Sequence, residues 1–175
     1  FGIALRITQL PEFLTMGLFL GAIPLFAYSF ASNNTQRLKE ALKELTLWIG
    51  GISILFALIV YLFRVPVMQL FTDDSAVIKV GLIVLAAQLV SSVFNGFSGL
   101  FTGIFEASGL GAQTGVMSTI QGILYIPIVI ILHHFYGLTG LIWSMILTEG
   151  IAFVAGLIML IPCLLYTSPS PRDKR

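Results

Sequence analysis

Residues 78–107 read IKVGLIVLAAQLVSSVFNGFSGLFTGIFEA, thirty positions with Lys79 near one end, Glu106 near the other and no charge between them. At about 1.5 Å per residue such a helix is ~45 Å long, more than the ~30 Å hydrocarbon core of a bilayer. Length and composition therefore make it a membrane-spanning helix. Its polar residues are the informative part. Gln88, Ser92, Asn95, Thr102 and Glu106 follow one another at steps of four, three, seven and four. At about 100° per residue they fall within about 40° of a single line, while Leu, Val, Ile and Phe fill the other faces. Such a stripe cannot face lipid, where its groups would find no hydrogen-bond partner, so it must face protein or a water-filled cavity. The helix belongs to a bundle. Two uses of the stripe stay open: the wall of a cavity, or interhelical hydrogen bonding that holds the bundle together. Gly96, Gly99 and Gly103 on the same helix read as packing surfaces or bend sites.

The rest of the chain repeats the pattern. Hydrophobic residues make up 57% of the 175 positions and charged residues 10%, with a mean hydropathy of +0.99. Soluble domains carry roughly a quarter charged residues, so few charges could not solubilise so apolar a surface. Five segments reach spanning length, at about 2–31, 45–63, 78–107, 113–133 and 137–162. The fold class is all-α, a polytopic membrane helix bundle. Short connections make consecutive helices antiparallel neighbours, and an odd number of spans puts the two ends on opposite sides of the membrane. A net charge of +1 with no basic stripe excludes nucleic acid as a partner. One cysteine, Cys163, cannot form an internal disulfide. The chain opens on Phe1 within an apolar run, reads as a fragment, and has no signal-peptide pattern.

Direction follows from the Lys/Arg bias. The first connection carries Arg37, Lys39 and Lys43, the second Arg64 and Lys79, and three against two favours a cytoplasmic first connection. Within it, Leu38, Leu42 and Leu45 share one helical face opposite Lys39, Glu40, Lys43 and Glu44. That pattern predicts a short amphipathic helix lying at the membrane surface. Trp48 and Tyr61 bracket the second span as an aromatic belt would. Pro24 and Pro127 fall inside helices and are expected to kink them.

Three carboxylates fall inside spans: Glu12 in the first, Glu106 toward the end of the third, Glu149 near the middle of the last. A charge at such depth costs roughly 3 kcal/mol on insertion scales, so each must pair, protonate or bind a cation. Glu12 has an alternative in a structural ion pair with Arg6. The expected substrate and ion pathway is therefore Glu12, Gln88, Ser92, Asn95, Thr102, Glu106 and Glu149. His133 and His134 sit at a helix end, where a wet interfacial position is the simpler reading than a metal site. There is no Walker loop, nucleophile elbow or Cys/His cluster. The chain reads as no enzyme, with no catalytic residues, no resident metal and no cofactor.

A family resemblance adds to this. GLFLGAIPLFAYSFASNNTQRLKEALK, residues 17–43, resembles a segment of the multidrug and toxic compound extrusion (MATE) transporters, with Gly17, Gly21, Pro24, Tyr28, Asn34, Arg37 and Lys39 at matching positions. Ser29 departs from the usual Asn, and Ala31, Ser32 and Asn33 stand where Gly-Ala-Lys is expected. FEASGLGAQTG, IQGILYIPIVIILHHFYGLTGLIWS and TEGIAF, further on, resemble the end of the family's C-terminal lobe. The resemblance implies that residues 1–162 are the last five of twelve helices in a two-lobe transporter of the plasma (inner) membrane, partnered by an N-terminal lobe outside this sequence. It implies a secondary antiporter that exports small organic, often cationic, compounds against sodium ions or protons by alternating access. The third span lacks the Asp that some sodium-coupled members place there. A lipid-linked oligosaccharide flippase of a related family, or a structural membrane subunit without transport, are the other readings. Residues 163–173, CLLYTSPSPRD, resemble the translation of a transposon-end sequencing adapter, so residues 163–175 are expected to be a non-native tail.

Overall fold

The computed structural model describes residues 2–166. Seven α-helices run in order: α1 (Gly2–Ala31), α2 (Thr35–Leu62), α3 (Arg64–Gln69), α4 (Ser75–Ala107), α5 (Gly111–Thr119), α6 (Tyr125–Tyr136) and α7 (Leu138–Tyr166). A π-helical turn, Ile120–Leu124, joins α5 to α6 without a break. Five stretches among the described residues are long and apolar enough to cross a membrane: Gly2–Ala31, Thr35–Leu62, Ser75–Ala107, Gly111–Tyr136 and Leu138–Cys163. The expected all-α membrane bundle is the fold found.

The distribution of residue types explains why the bundle forms. Large apolar side chains point outward, among them Phe13, Leu55, Leu62, Ile123, Ile130 and Ile158, while Thr8, Ser53, Gln88, Ser92, Ser98, Ser144 and Thr148 are buried. In lipid the outer surface has no reason to be polar, whereas a polar group must find its partner inside the protein. Several buried hydroxyls do so by donating to a carbonyl one turn back: Thr148 Oγ1 to Ser144 O at 2.8 Å and Ser144 Oγ to Leu141 O at 2.6 Å.

Helix α4 is the central post, packed against α1, α2, α3, α5 and α7. Two apolar cores form along it. One gathers Phe26, Leu38, Ile49, Leu100, Phe105 and Met117, and the other Ile7, Val60, Met68, Val84, Leu85 and Ile142. The connections are closed by local polar chemistry. Asn33 takes a left-handed φ of 52°, and the Asn34 side chain caps α2 by accepting from Arg37 N at 3.1 Å. Asp74 caps α4, its Oδ1 accepting from Ala76 N at 2.8 Å. Gly137, at φ 60°, is the single residue between α6 and α7.

The structure departs from expectation, or adds to it, at several points. Residues 38–45 form no separate surface helix: they are early turns of α2, with Leu38 only 2% exposed and Leu42 and Leu45 packed on the first core. Their apolar stripe meets protein instead of lipid headgroups. The second connection holds the short α3, whose Met68 fills the second core. Pro24 lies within a continuous α1, while the π turn ends three residues before Pro127. A proline lacks the N–H that a helix needs and crowds the carbonyl four residues back, and a π turn is one way a helix absorbs that. Helix α7 continues to Tyr166, four residues past the expected end, and residues 167–175 of the expected tail lie outside the described residues.

Candidate functional site

A cavity of about 510 Å³ opens between α1, α2, α4, the π turn and α7. Helix α1 contributes Glu12, Thr15, Met16 and Phe19; α4 contributes Asn95, Gly96, Gly99, Leu100, Thr102, Gly103 and Glu106. Ile49 of α2, Gln121 of the π turn and Glu149 of α7 complete the wall. The three carboxylates that the sequence puts inside spans thus border one space, although up to 137 positions separate them in the chain. The wall holds no Lys or Arg.

Glu149 is the best-held of the three. Its Oε1 accepts from Asn95 Nδ2 at 3.2 Å and its Oε2 from Gln121 Nε2 at 3.4 Å, so each oxygen faces one neutral amide. Hydrogen bonds to a carboxylate hold it in place without cancelling its charge. A side-chain amide can also turn about its terminal bond and offer its oxygen, so the same two residues could accept from a protonated Glu149 or help ligate a cation. Glu12, half-buried on the α1 side of the same cavity, faces away from Arg6. Six residues on an α-helix leave two side chains about 120° apart, and Arg6 is exposed. The ion-pair alternative for Glu12 therefore has no geometric support. Glu106 is exposed at one end of the cavity wall.

The polar stripe of α4 divides. Asn95, Thr102 and Glu106 line the cavity. Gln88 does not: it is 4% exposed, accepts from Thr8 Oγ1 of α1 at 3.3 Å, and turns its Nε2 toward Met145 Sδ of α7 at 3.5 Å. Ser92, 8% exposed, donates to Leu89 O of its own helix at 2.9 Å. The face is the same, but the neighbours change along it. Gln88 sits among close neighbours from α1 and α7, whereas Asn95, Thr102 and Glu106 border the open space. Other α4 residues, such as Phe97 and Phe101, keep packing on Phe153 of α7. Gln88 ties α4 to α1 and α7, Ser92 bonds within its own helix, and neither lines this cavity.

Gln121, Thr15, Met16 and Phe19 are wall residues that sequence reasoning missed. Gln121 left one signal, an amide inside an otherwise apolar run, and the π turn that carries it has no signature in the sequence. The remaining expectations are simpler. His133 and His134 are exposed in the last turn of α6. Among the described residues no group of three or more His, Cys, Asp or Glu could hold a metal ion. Of the α4 glycines singled out in the sequence, Gly96 and Gly103 do press against neighbours, whereas Gly99 meets none.

Comparison with known proteins gives two concordant results. The family model for MatE matches residues 1–131. The multidrug export protein MepA of Staphylococcus aureus (strain MRSA252) is 35% identical over 159 residues, which is 91% of this chain and 35% of that protein. Its namesake in Staphylococcus haemolyticus (strain JCSC1435) is 36% identical over 156 residues, 89% of this chain and 34% of that protein. The chain spans about a third of the length of these curated relatives. No solved structure matches.

Proposed function

Since the chain belongs to the MatE family, we propose that it is part of a membrane transporter that exports organic cations and that its cavity is the C-lobe share of the pathway. The observation that carries this reading is the cavity itself: three carboxylates, two amides on one of them, apolar side chains beside them, and no basic residue. An organic cation needs negative charge for its head and apolar surface for its body, and both stand in one wall. Residues 1–162 form, on this reading, five of the twelve helices of a two-lobe antiporter in the plasma membrane, with the N-terminal lobe completing the cavity. The named function of the MepA relatives is multidrug export, which agrees.

Coupling is assigned to Glu149, with Glu12 across the cavity. A carboxylate held by two amides can exchange a proton or a sodium ion for the substrate's charge, and that competition at one anionic site is what links the two movements in an antiporter. A flippase for an anionic lipid-linked sugar would need basic groups in the same wall, which this one lacks. A purely structural subunit would have no use for an open acidic cavity in the membrane.

The test uses the full-length transporter in liposomes, with tetraphenylphosphonium as substrate and either a proton or a sodium gradient as drive. Glu149→Gln keeps shape and removes charge, so gradient-driven transport should fall by at least tenfold while folded protein is retained. Asn95→Ala and Gln121→Ala should each raise the half-saturating concentration of whichever ion drives transport. Undiminished transport by Glu149→Gln under both gradients would remove this residue from the mechanism and the cavity reading with it.

A further inference from the structure

The stripe on α4 has a gap. Its steps run four, three, seven and four, and the step of seven conceals a four and a three that meet at Gly99. At about 100° per residue, Gly99 lies about 20° from the line through the other stripe residues. It is the stripe position that carries no side chain, and it lies between Asn95 and Thr102 in the cavity wall.

Its two neighbouring glycines have a packing reason to be glycine. A Cβ on Gly96 would sit 3.1 Å from Ser53 Oγ and 3.4 Å from Ile49 Cγ2, and one on Gly103 would overlap the Phe19 ring. A Cβ on Gly99 would meet no heavy atom within 4 Å. Glycine in a helix interior is destabilising relative to alanine, and at Gly99 no close helix contact offsets that. What the missing side chain does supply is room, one turn from Asn95 and its hydrogen bond to Glu149.

We infer that Gly99 is a specificity-determining residue whose missing side chain admits the bulky apolar part of an organic cation, while the carboxylates hold its charge. The inference rests on reading the cavity as the substrate pathway.

The experiment compares two probes in the full-length transporter reconstituted in liposomes: tetraethylammonium, which is compact, and tetraphenylphosphonium, which is bulky. Gly99→Ala and Gly99→Leu fill the gap in two steps, and the readout is the ratio of the two KM values at equal folded protein. A pocket that loses space for one or more methylenes discriminates by about tenfold or more. The ratio of KM for tetraphenylphosphonium to that for tetraethylammonium should therefore rise by about tenfold in Gly99→Leu and by a smaller factor in Gly99→Ala. Gly99→Ala also guards against misfolding, since alanine favours the helix and meets no neighbour. An unchanged ratio in both variants, with Glu149→Gln still defective, overturns the role of Gly99 and leaves the pathway reading standing. An unchanged ratio together with unimpaired Glu149→Gln overturns both.

Discussion

Gly103→Ala is the substitution whose cost the packing defines best. A Cβ there overlaps the Phe19 ring of α1, and Phe19 packs on the first core with its other side on the cavity. The ring must shift to make room, giving up some of its contacts with the core. Overpacking of this kind costs about 1–3 kcal/mol, and replacing a helical glycine by alanine returns about 0.5–1 kcal/mol. The net expectation is a loss of up to about 2.5 kcal/mol. Phe19→Ala alone should also destabilise, by less than the roughly 3–5 kcal/mol of a fully buried phenylalanine, because the ring is only half-buried. In the double variant the new methyl enters space the ring has left. Its cost should therefore fall short of the sum of the two single costs by about 1–2 kcal/mol. Unfolding of the full-length protein by SDS in mixed micelles, followed for the wild type, both single variants and the double variant, measures this cycle. Additivity within about 0.5 kcal/mol would mean that α1 and α4 do not meet at this point, and the placement of the cavity between them would be wrong.

Gly140→Ala should be worse than Gly103→Ala, by the same unfolding assay. Its Cβ would overlap the carbonyl of Leu132, and main chain cannot swing aside as a ring can. The expected cost is about 3 kcal/mol, and a variant as stable as wild type would refute the tight α6–α7 crossing. For orientation, a cysteine at exposed Gln36 of the full-length protein should resist an impermeant thiol reagent in intact cells, whereas one at exposed Ser75 should react. The reverse labelling pattern would invert the cytoplasmic assignment of the first connection.

The five spans, the bundle class and the three intramembrane carboxylates were legible in the sequence because a bilayer imposes rules that act one segment at a time. A helix must be long enough, its outer face must be apolar, and a charge inside it must stand out against both. The polar face of α4 was legible for the same reason, since helical period alone brings Gln88, Ser92, Asn95, Thr102 and Glu106 onto one line. What that face touches depends on other helices. Gln88 meets Thr8 and Met145 while Asn95 meets Glu149 at the cavity wall, and no local pattern encodes which neighbours stand at each position. The same holds for Leu38, whose apolar stripe fits a lipid surface as well as a protein core until α2 is seen to continue through it. It holds too for Gly96, Gly99 and Gly103, alike in sequence and told apart only by Ser53, empty space and Phe19. Gln121 reaches Glu149 because a π turn carries it there, and that turn arises within the packed helix. Periodicity specifies which residues share a face, while only the packing of the whole bundle decides whether that face meets lipid, another helix or an open cavity.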